Sequence, residues 1–246
     1  MDNLKRCKDI LFLEGIDMRL ILAGCEYSGT TTLSQSIDDW MQENMGCRFS
    51  LIHDHWKIPH TSGHPDDTTE DEQNWLLNAT PKIMEMHQRH SIYYHIQPAT
   101  WEMPDWMAIG LHIDDSVYGP MYFGYGLPDT RHDRRIDMHR MERSMLRFAQ
   151  DLVLVNVTAS PNTIRERMET SPHPNQIVKK DEVEKVMSKF DELVNWSLIP
   201  NKITVDTTSK TKDESLQEFM KFIRPFLSDT DRSRIVAHKA LISSGN

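Results

Sequence analysis

The stretch RLILAGCEYSGTTTLSQ, Arg19 to Gln35, decides how the rest of the chain is read. Leu20 to Ala23 form an apolar run of strand length, Gly24 and Gly29 bracket four residues, and Thr30, Thr31 and Thr32 open a segment of helical periodicity. Strand, glycine turn and helix in that order can make a phosphate-binding loop. The glycines let successive backbone N–H groups converge on phosphate oxygens, and the helix N-terminus adds partial positive charge. The same order also serves as a plain strand-to-helix turn. Thr31 stands where a hydroxyl would ligate Mg²⁺, whereas Thr30 fills the position at which such loops carry a lysine reaching the outer phosphates.

Working outward, the segment from Thr30 to about Asn44 places Leu33, Ile37, Trp40 and Met41 on one helical face. Further strands are expected at Phe49 to His53, Trp106 to Ile113, within DLVLVNVTAS (Asp151 to Ser160), and at Lys202 to Thr207. The third of these is almost continuously apolar, as a parallel strand covered on both faces would be. Helices are expected at Asp71 to His90, Arg135 to Phe148, from Pro161 onward, Asp181 to Trp196 and Asp213 to Leu227. The alternation predicts an α/β fold: a three-layer sandwich with a parallel sheet of about five strands flanked by helices. It forms one domain over residues 1–228, followed by a polar tail over 229–246.

The length of 246 residues suits a single large core. A formal charge of -9 argues against non-specific nucleic-acid binding as the main task, since phosphate contacts need a positive footprint. Cys7, Cys25 and Cys47 show no metal-like pairing and read as reduced thiols. No run reaches the roughly 18 apolar residues of a membrane span. The first twenty residues offer no small-residue cleavage site, so a cytoplasmic location is expected, with no membrane partner.

Asp54 and Asp114 each fall just past a predicted strand, at the edge where open parallel sheets bind ligands. A carboxylate there could hold Mg²⁺, directly or through water, or accept a proton from a substrate hydroxyl; singly, each is equally a solvated loop residue or a helix cap. His53, His55, His60 and His64 lack a zinc spacing. Trp56, Trp75, Trp101 and Trp106 supply aromatic surface, and Tyr118, Tyr122 and Tyr125, in a segment bounded by glycines, are expected to face a ligand.

In the order of these motifs the chain resembles the thymidylate kinase and deoxynucleoside kinase branch of the P-loop kinases, from about Met18 to Leu227. AGCEYSGTTTL is similar to that family's first loop, with Glu26 two positions after the first glycine. GLHIDDSVYGPMYFGYG resembles the third-strand segment, with Asp114 matching its acid and Asp115 standing in place of its arginine. DLVLVNVTASPNTIRERM resembles the fourth strand, its Pro turn and a helix whose arginine, here Arg167, packs against adenine.

The resemblance implies ATP and Mg²⁺ as cofactors and transfer of the γ-phosphoryl group to a pyrimidine nucleotide, a nucleoside or a related hydroxyl. One variant acts on a hydroxymethylated pyrimidine base in DNA, as some bacteriophages encode; another binds nucleotide without turnover. It implies a nucleotide cradle of Gly24, Glu26, Tyr27, Ser28, Gly29, Thr30, Thr31, Thr32 and Arg167, a metal site at Thr31 and Asp114, and Asp54 as base. A mobile lid, METSPHPNQIVKKDE, would span about 168–182, and a homodimer is allowed. The family's loop lysine and third-strand arginine are both absent. Arg131, Arg134 and Arg135, or the lid's Lys179 and Lys180, are the replacement cations to look for, with Arg131 placed at the catalytic site. Arg140, Arg143 and Arg147 share a helical face interleaved with acids and read equally as solvated.

Overall fold

In the computed structural model, residues 18–55, 69–173 and 176–244 are described. The segment from Leu11 to Asp17, Cys7, Trp56, His60 and His64 lie outside them, as do Pro174 and Asn175 of the lid. The chain builds one parallel sheet from β1 (Arg19–Ala23), β2 (Leu51–Asp54), β3 (Trp106–Ile109), β4 (Val153–Thr158) and β5 (Asn201–Asp206), in the spatial order β2-β3-β1-β4-β5. The helices are α1 (Thr30–Met45), α2 (Glu70–Leu77), α3 (Pro81–His95), α4 (Leu111–Tyr118), α5 (Arg134–Met145), α6 (Pro161–Thr170), α7 (Val183–Trp196), α8 (Lys212–Ile223) and α9 (Asp229–Ser244).

Alternation along β1 makes the three layers. Leu20 and Leu22 point to one face and pack with Leu33, Ile37 and Met41 of α1 and Phe219 and Ile223 of α8. Ile21 and Ala23 point to the other and pack with Ile113 and Val117 of α4, Met138 and Met141 of α5 and Phe190 of α7. The hydrophobic residues of both layers are nearly all removed from water, so the sheet is covered on both faces as its composition required.

Register aligns the strand ends. Leu22 pairs with Ile109, Ile109 with Asp54, and Ala23 with Asn156. The C-terminal ends of β1, β2, β3 and β4 therefore meet at one edge, where the chain leaves for Gly24, His55, Gly110 and Ala159.

Three expectations are corrected. The third strand stops at Ile109 rather than Ile113, because Gly110 (φ 77) and Leu111 (φ 48) turn the chain straight into α4. Asp114 thus rides in the first turn of a helix. The expected helix over 71–90 is two helices, since Thr80 and Pro81 start a new one. The tail from 229 is a helix laid along α1, with Ile235 against the core and Arg234 bridging to both carboxylate oxygens of Asp105 (2.9 and 2.8 Å).

Candidate active site

The loop between β1 and α1 is shaped by two glycines for different reasons. Gly24 passes so close to β4 that a Cβ on it would lie 2.2 Å from the Val157 carbonyl oxygen. Gly29, the residue before α1, has room around it but sits at φ +98. Between them Tyr27 takes φ 64 and the Ser28 N–H closes a turn on the Cys25 carbonyl (2.9 Å). Burial pushes the Cys25 thiol far above its ordinary range, so it is an inert part of the turn.

A cavity of about 390 Å³ opens over this loop. It is lined by Gly24, Glu26, Tyr27, Gly29, Thr30, Thr31 and Thr32 from the loop and α1, by Asp54 from β2, and by Asp114 and Tyr118 from α4. Ser171, His173 and Ile177 of the lid complete it. A second cavity, about 360 Å³, adjoins it and shares Tyr27, Gly29 and Thr32 with it. Arg167 lines it with Ser36, Thr207 and Lys210.

Asp114 is buried to 7% exposure. Burial raises its pKa well above the carboxylate range, and the neighbouring charges of Asp54, Glu26 and Asp115 add to that, against a hydrogen bond from the Gly24 N–H. Its Oδ1 has no hydrogen-bond partner among the described residues. This unpartnered carboxylate oxygen shares its cavity with Thr31 and Asp54, all hard-oxygen donors of the type Mg²⁺ takes.

Glu26 faces the lid. Its carboxylate accepts the N–H groups of Ile177 (3.1 and 3.0 Å to its two oxygens) and Val178 (2.8 Å). Burial raises its pKa to about 6 in spite of those donors. Tyr27 adds a second tie: its hydroxyl accepts the His173 N–H (3.2 Å) and donates to Gln176 Oε1 (2.9 Å). The lid is thus docked on the loop.

Arg167 is fixed by the loop rather than by solvent. Its guanidinium donates to the Tyr27 carbonyl (2.9 Å), Thr207 Oγ1 (3.0 Å) and the Thr207 carbonyl (2.9 Å), while Thr207 Oγ1 donates to the Ser28 carbonyl (2.7 Å). Ser28 itself is fully buried and lines neither cavity.

The arginine-rich segment lies elsewhere. Arg131 is exposed and lines neither loop cavity. Arg134 is buried to 1% exposure, paired through Nε with Asp115 and through Nη1 with Glu85 (3.1 Å), its guanidinium over the Tyr125 ring. Arg135 pairs with Asp133 (2.6 Å) and Arg140 with Asp137 (2.8 Å). Lys180 turns to Glu169 (2.8 Å). Acids claim these cations, local ones for Arg135 and Arg140 and distant ones brought near by the fold for Arg134 and Lys180.

Of the three tyrosines only Tyr118 reaches the loop cavity; Tyr122 and Tyr125 line neither loop cavity. Tyr118 ends α4, is buried, and accepts the Glu26 N–H on its hydroxyl (3.0 Å). Tyr125 is buried with its hydroxyl on Asp115 (2.7 Å), and Tyr122 reaches Glu182 (3.1 Å). The glycines that suggested an open loop, Gly119 above all, instead make room: a Cβ on Gly119 would lie 2.5 Å from the Tyr125 ring. His173 and Ile177 fall inside the expected lid but were not singled out as site residues, since nothing in their sequence neighbourhood marks them.

No protein-family profile and no curated protein matches the chain. Solved structures do. A deoxyadenosine kinase from M. mycoides with bound dATP superimposes with a TM-score of 0.54 at 13% identity, over 84% of this chain and 100% of that one. A thymidylate kinase from Candida albicans gives a TM-score of 0.50 at 13% identity, over 85% of this chain and 92% of that one.

The fold is that of the nucleotide kinases. Open parallel α/β sheets take ligands at the C-terminal ends of their strands, and here that edge brings Gly24, Glu26, Tyr27, Gly29 to Thr32, Asp54 and Asp114 around one cavity.

Proposed function

We propose that this chain is an ATP- and Mg²⁺-dependent phosphotransferase of the nucleotide and nucleoside kinase class, acting on a pyrimidine nucleotide or a related hydroxyl. The observation that supports it is the convergence of the glycine loop, Asp54 and the unpartnered Asp114 oxygen on one cavity, with Arg167 lining the adjoining one across Tyr27 and Gly29. Loop N–H groups would cradle the triphosphate, and Arg167 would lie against the adenine. Thr31 and Asp114 would hold Mg²⁺, which when bound draws charge from the phosphate oxygens. Asp54, at the end of β2, would accept the proton of the attacking hydroxyl as the γ-phosphoryl group passes to it. The lid docked through Glu26 and Tyr27 would exclude water during transfer.

A second reading, nucleotide binding without turnover, is favoured by one feature: no lysine or arginine is among the described residues lining the loop cavity. Labelled ATP with Mg²⁺ and a panel of nucleosides, nucleotides and hydroxymethylated DNA separates the two. Label on an acceptor supports transfer. Binding of ATP without any labelled product supports the second reading, and failure of ATP to raise the melting temperature at millimolar concentration overturns both.

A further inference from the structure

The loop cavity has an excess of negative groups. Glu26, Asp54 and Asp114 line it, and among its described lining residues the one basic side chain is His173. Every other cation suggested for the site is engaged or distant. Arg134 and Arg135 are held by Asp115 and Asp133, Lys180 by Glu169, and Lys179 lines neither loop cavity. Arg167 is spent on Tyr27 and Thr207, and Lys210 pairs with Glu218 and lines the second cavity.

His173 is placed by several contacts at once. Its ring stacks on Tyr27 (centroids 4.9 Å apart, planes 21° apart), its backbone N–H is held by the Tyr27 hydroxyl, and its Nε2 lies 3.7 Å from Glu26 Oε1. The chain just beyond it is clamped by the Glu26 carboxylate through the N–H groups of Ile177 and Val178. A lid docked in this way holds the imidazole in the wall of the loop cavity.

We propose that His173 supplies from the lid the positive charge that Thr30 withholds from the loop, facing the phosphates of a bound nucleoside triphosphate. This rests on the kinase reading above and adds a residue to it. Without ligand, burial lowers the His173 pKa, so near neutral pH the ring is mostly uncharged. An arriving polyphosphate favours the imidazolium, and binding therefore takes up a proton. Glu26 and Tyr27 on the loop meet the ring directly, and the other titratable groups of the same cavity are Asp54 on β2 and Asp114 and Tyr118 on α4. Glu26 also protonates near pH 6, so its contribution must be separated from that of His173.

ATP affinity measured by titration calorimetry, in two buffers of different ionisation enthalpy, tests this without requiring turnover. Wild type should bind ATP about tenfold more weakly at pH 8 than at pH 6, with proton uptake at neutral pH. Glu26→Gln should keep that slope in the neutral range, His173→Gln should lose it together with the proton uptake, and His173→Lys should bind as tightly at pH 8 as at pH 6. Adenosine, which has no phosphate, should show no slope in any variant. Because the His173 side chain is 44% exposed, His173→Gln should melt as wild type does. If wild type binds ATP while His173→Gln keeps both affinity and slope, or His173→Lys gains nothing at pH 8, the assignment of His173 is overturned and the kinase reading stands. If wild type binds no nucleoside triphosphate at either pH, both are overturned.

Discussion

Gly24→Ala tests whether the loop is built by close approach of backbone to backbone. The new Cβ would lie 2.2 Å from the Val157 carbonyl oxygen and 2.7 Å from Ser28 Oγ. A carbon and a carbonyl oxygen approach to about 3.3 Å, so loop and strand must part by about 1 Å. Val157 cannot retreat cheaply, because β4 pairs with β1 on one side and with β5 on the other, Val157 opposite Val205. Overpacking costs about 1–3 kcal/mol, and a backbone obstacle places this case at about 3. For a domain of this length that is about 6–12 °C in Tm. Thermal unfolding followed by circular dichroism reads it directly, and the same scan with ATP and Mg²⁺ reports whether the loop still binds.

Gly29 is the control, since its need is for φ +98 and not for space. Asn tolerates positive φ better than Ala does, so Gly29→Asn should melt above Gly29→Ala. At Gly24, where volume is the obstacle, Asn should be worse than Ala. A Gly24→Ala protein melting within about 2 °C of wild type, or the same order of Ala and Asn at both glycines, would refute the reasoning.

Three further outcomes are expected. Asp114→Asn should abolish Mg²⁺-dependent transfer to any acceptor found, yet raise the Tm of the ligand-free protein. A carboxyl whose pKa is raised in the folded state stabilises it at low pH and loses that contribution as pH rises through the folded value, so the gap in Tm over wild type should widen with pH. Glu26→Gln follows the same sign over a named window: the folded pKa of about 6 against an ordinary 4.5 makes wild type lose about 2 kcal/mol relative to the variant between pH 4.5 and 7, measurable by urea unfolding across that range. Arg134→Met should cost about 3–5 kcal/mol by leaving Asp115 buried and unpaired, and the double variant with Asp115→Leu should recover most of it. Additive losses in that double-mutant cycle would mean the pair is not coupled.

Much of the fold was legible because its signals are local. Leu20 to Ala23, the unbroken apolar run of β4, and Pro161 after Ser160, whose Oγ accepts the Thr163 N–H (3.1 Å), each announce their element from a few neighbouring residues. The convergence of Asp54 with the glycine loop was also readable, since both follow strands and parallel sheets align strand ends. Asp114 was placed at the right edge for a partly wrong reason, as a strand end rather than the first turn of α4. The positive φ of Leu111 that makes the difference is not a preference any apolar residue advertises.

The cations were not legible. Sequence counts arginines, but a guanidinium goes to the acid that the fold brings nearest, and Asp115, nineteen positions from Arg134, was visible only as a replaced arginine. The same holds for the lid. Glu26 is 151 positions from Ile177, and a donating backbone N–H, which carries no side-chain signature, can be matched to it only once the chain is folded. By itself, then, the sequence determined the layers, the strand edge and the strand, glycine turn and helix order at Arg19 to Gln35, because period, glycine and proline act over a few residues. Tertiary structure alone decided which charges are free to meet a ligand, because pairing and desolvation depend on distances between residues far apart in the chain.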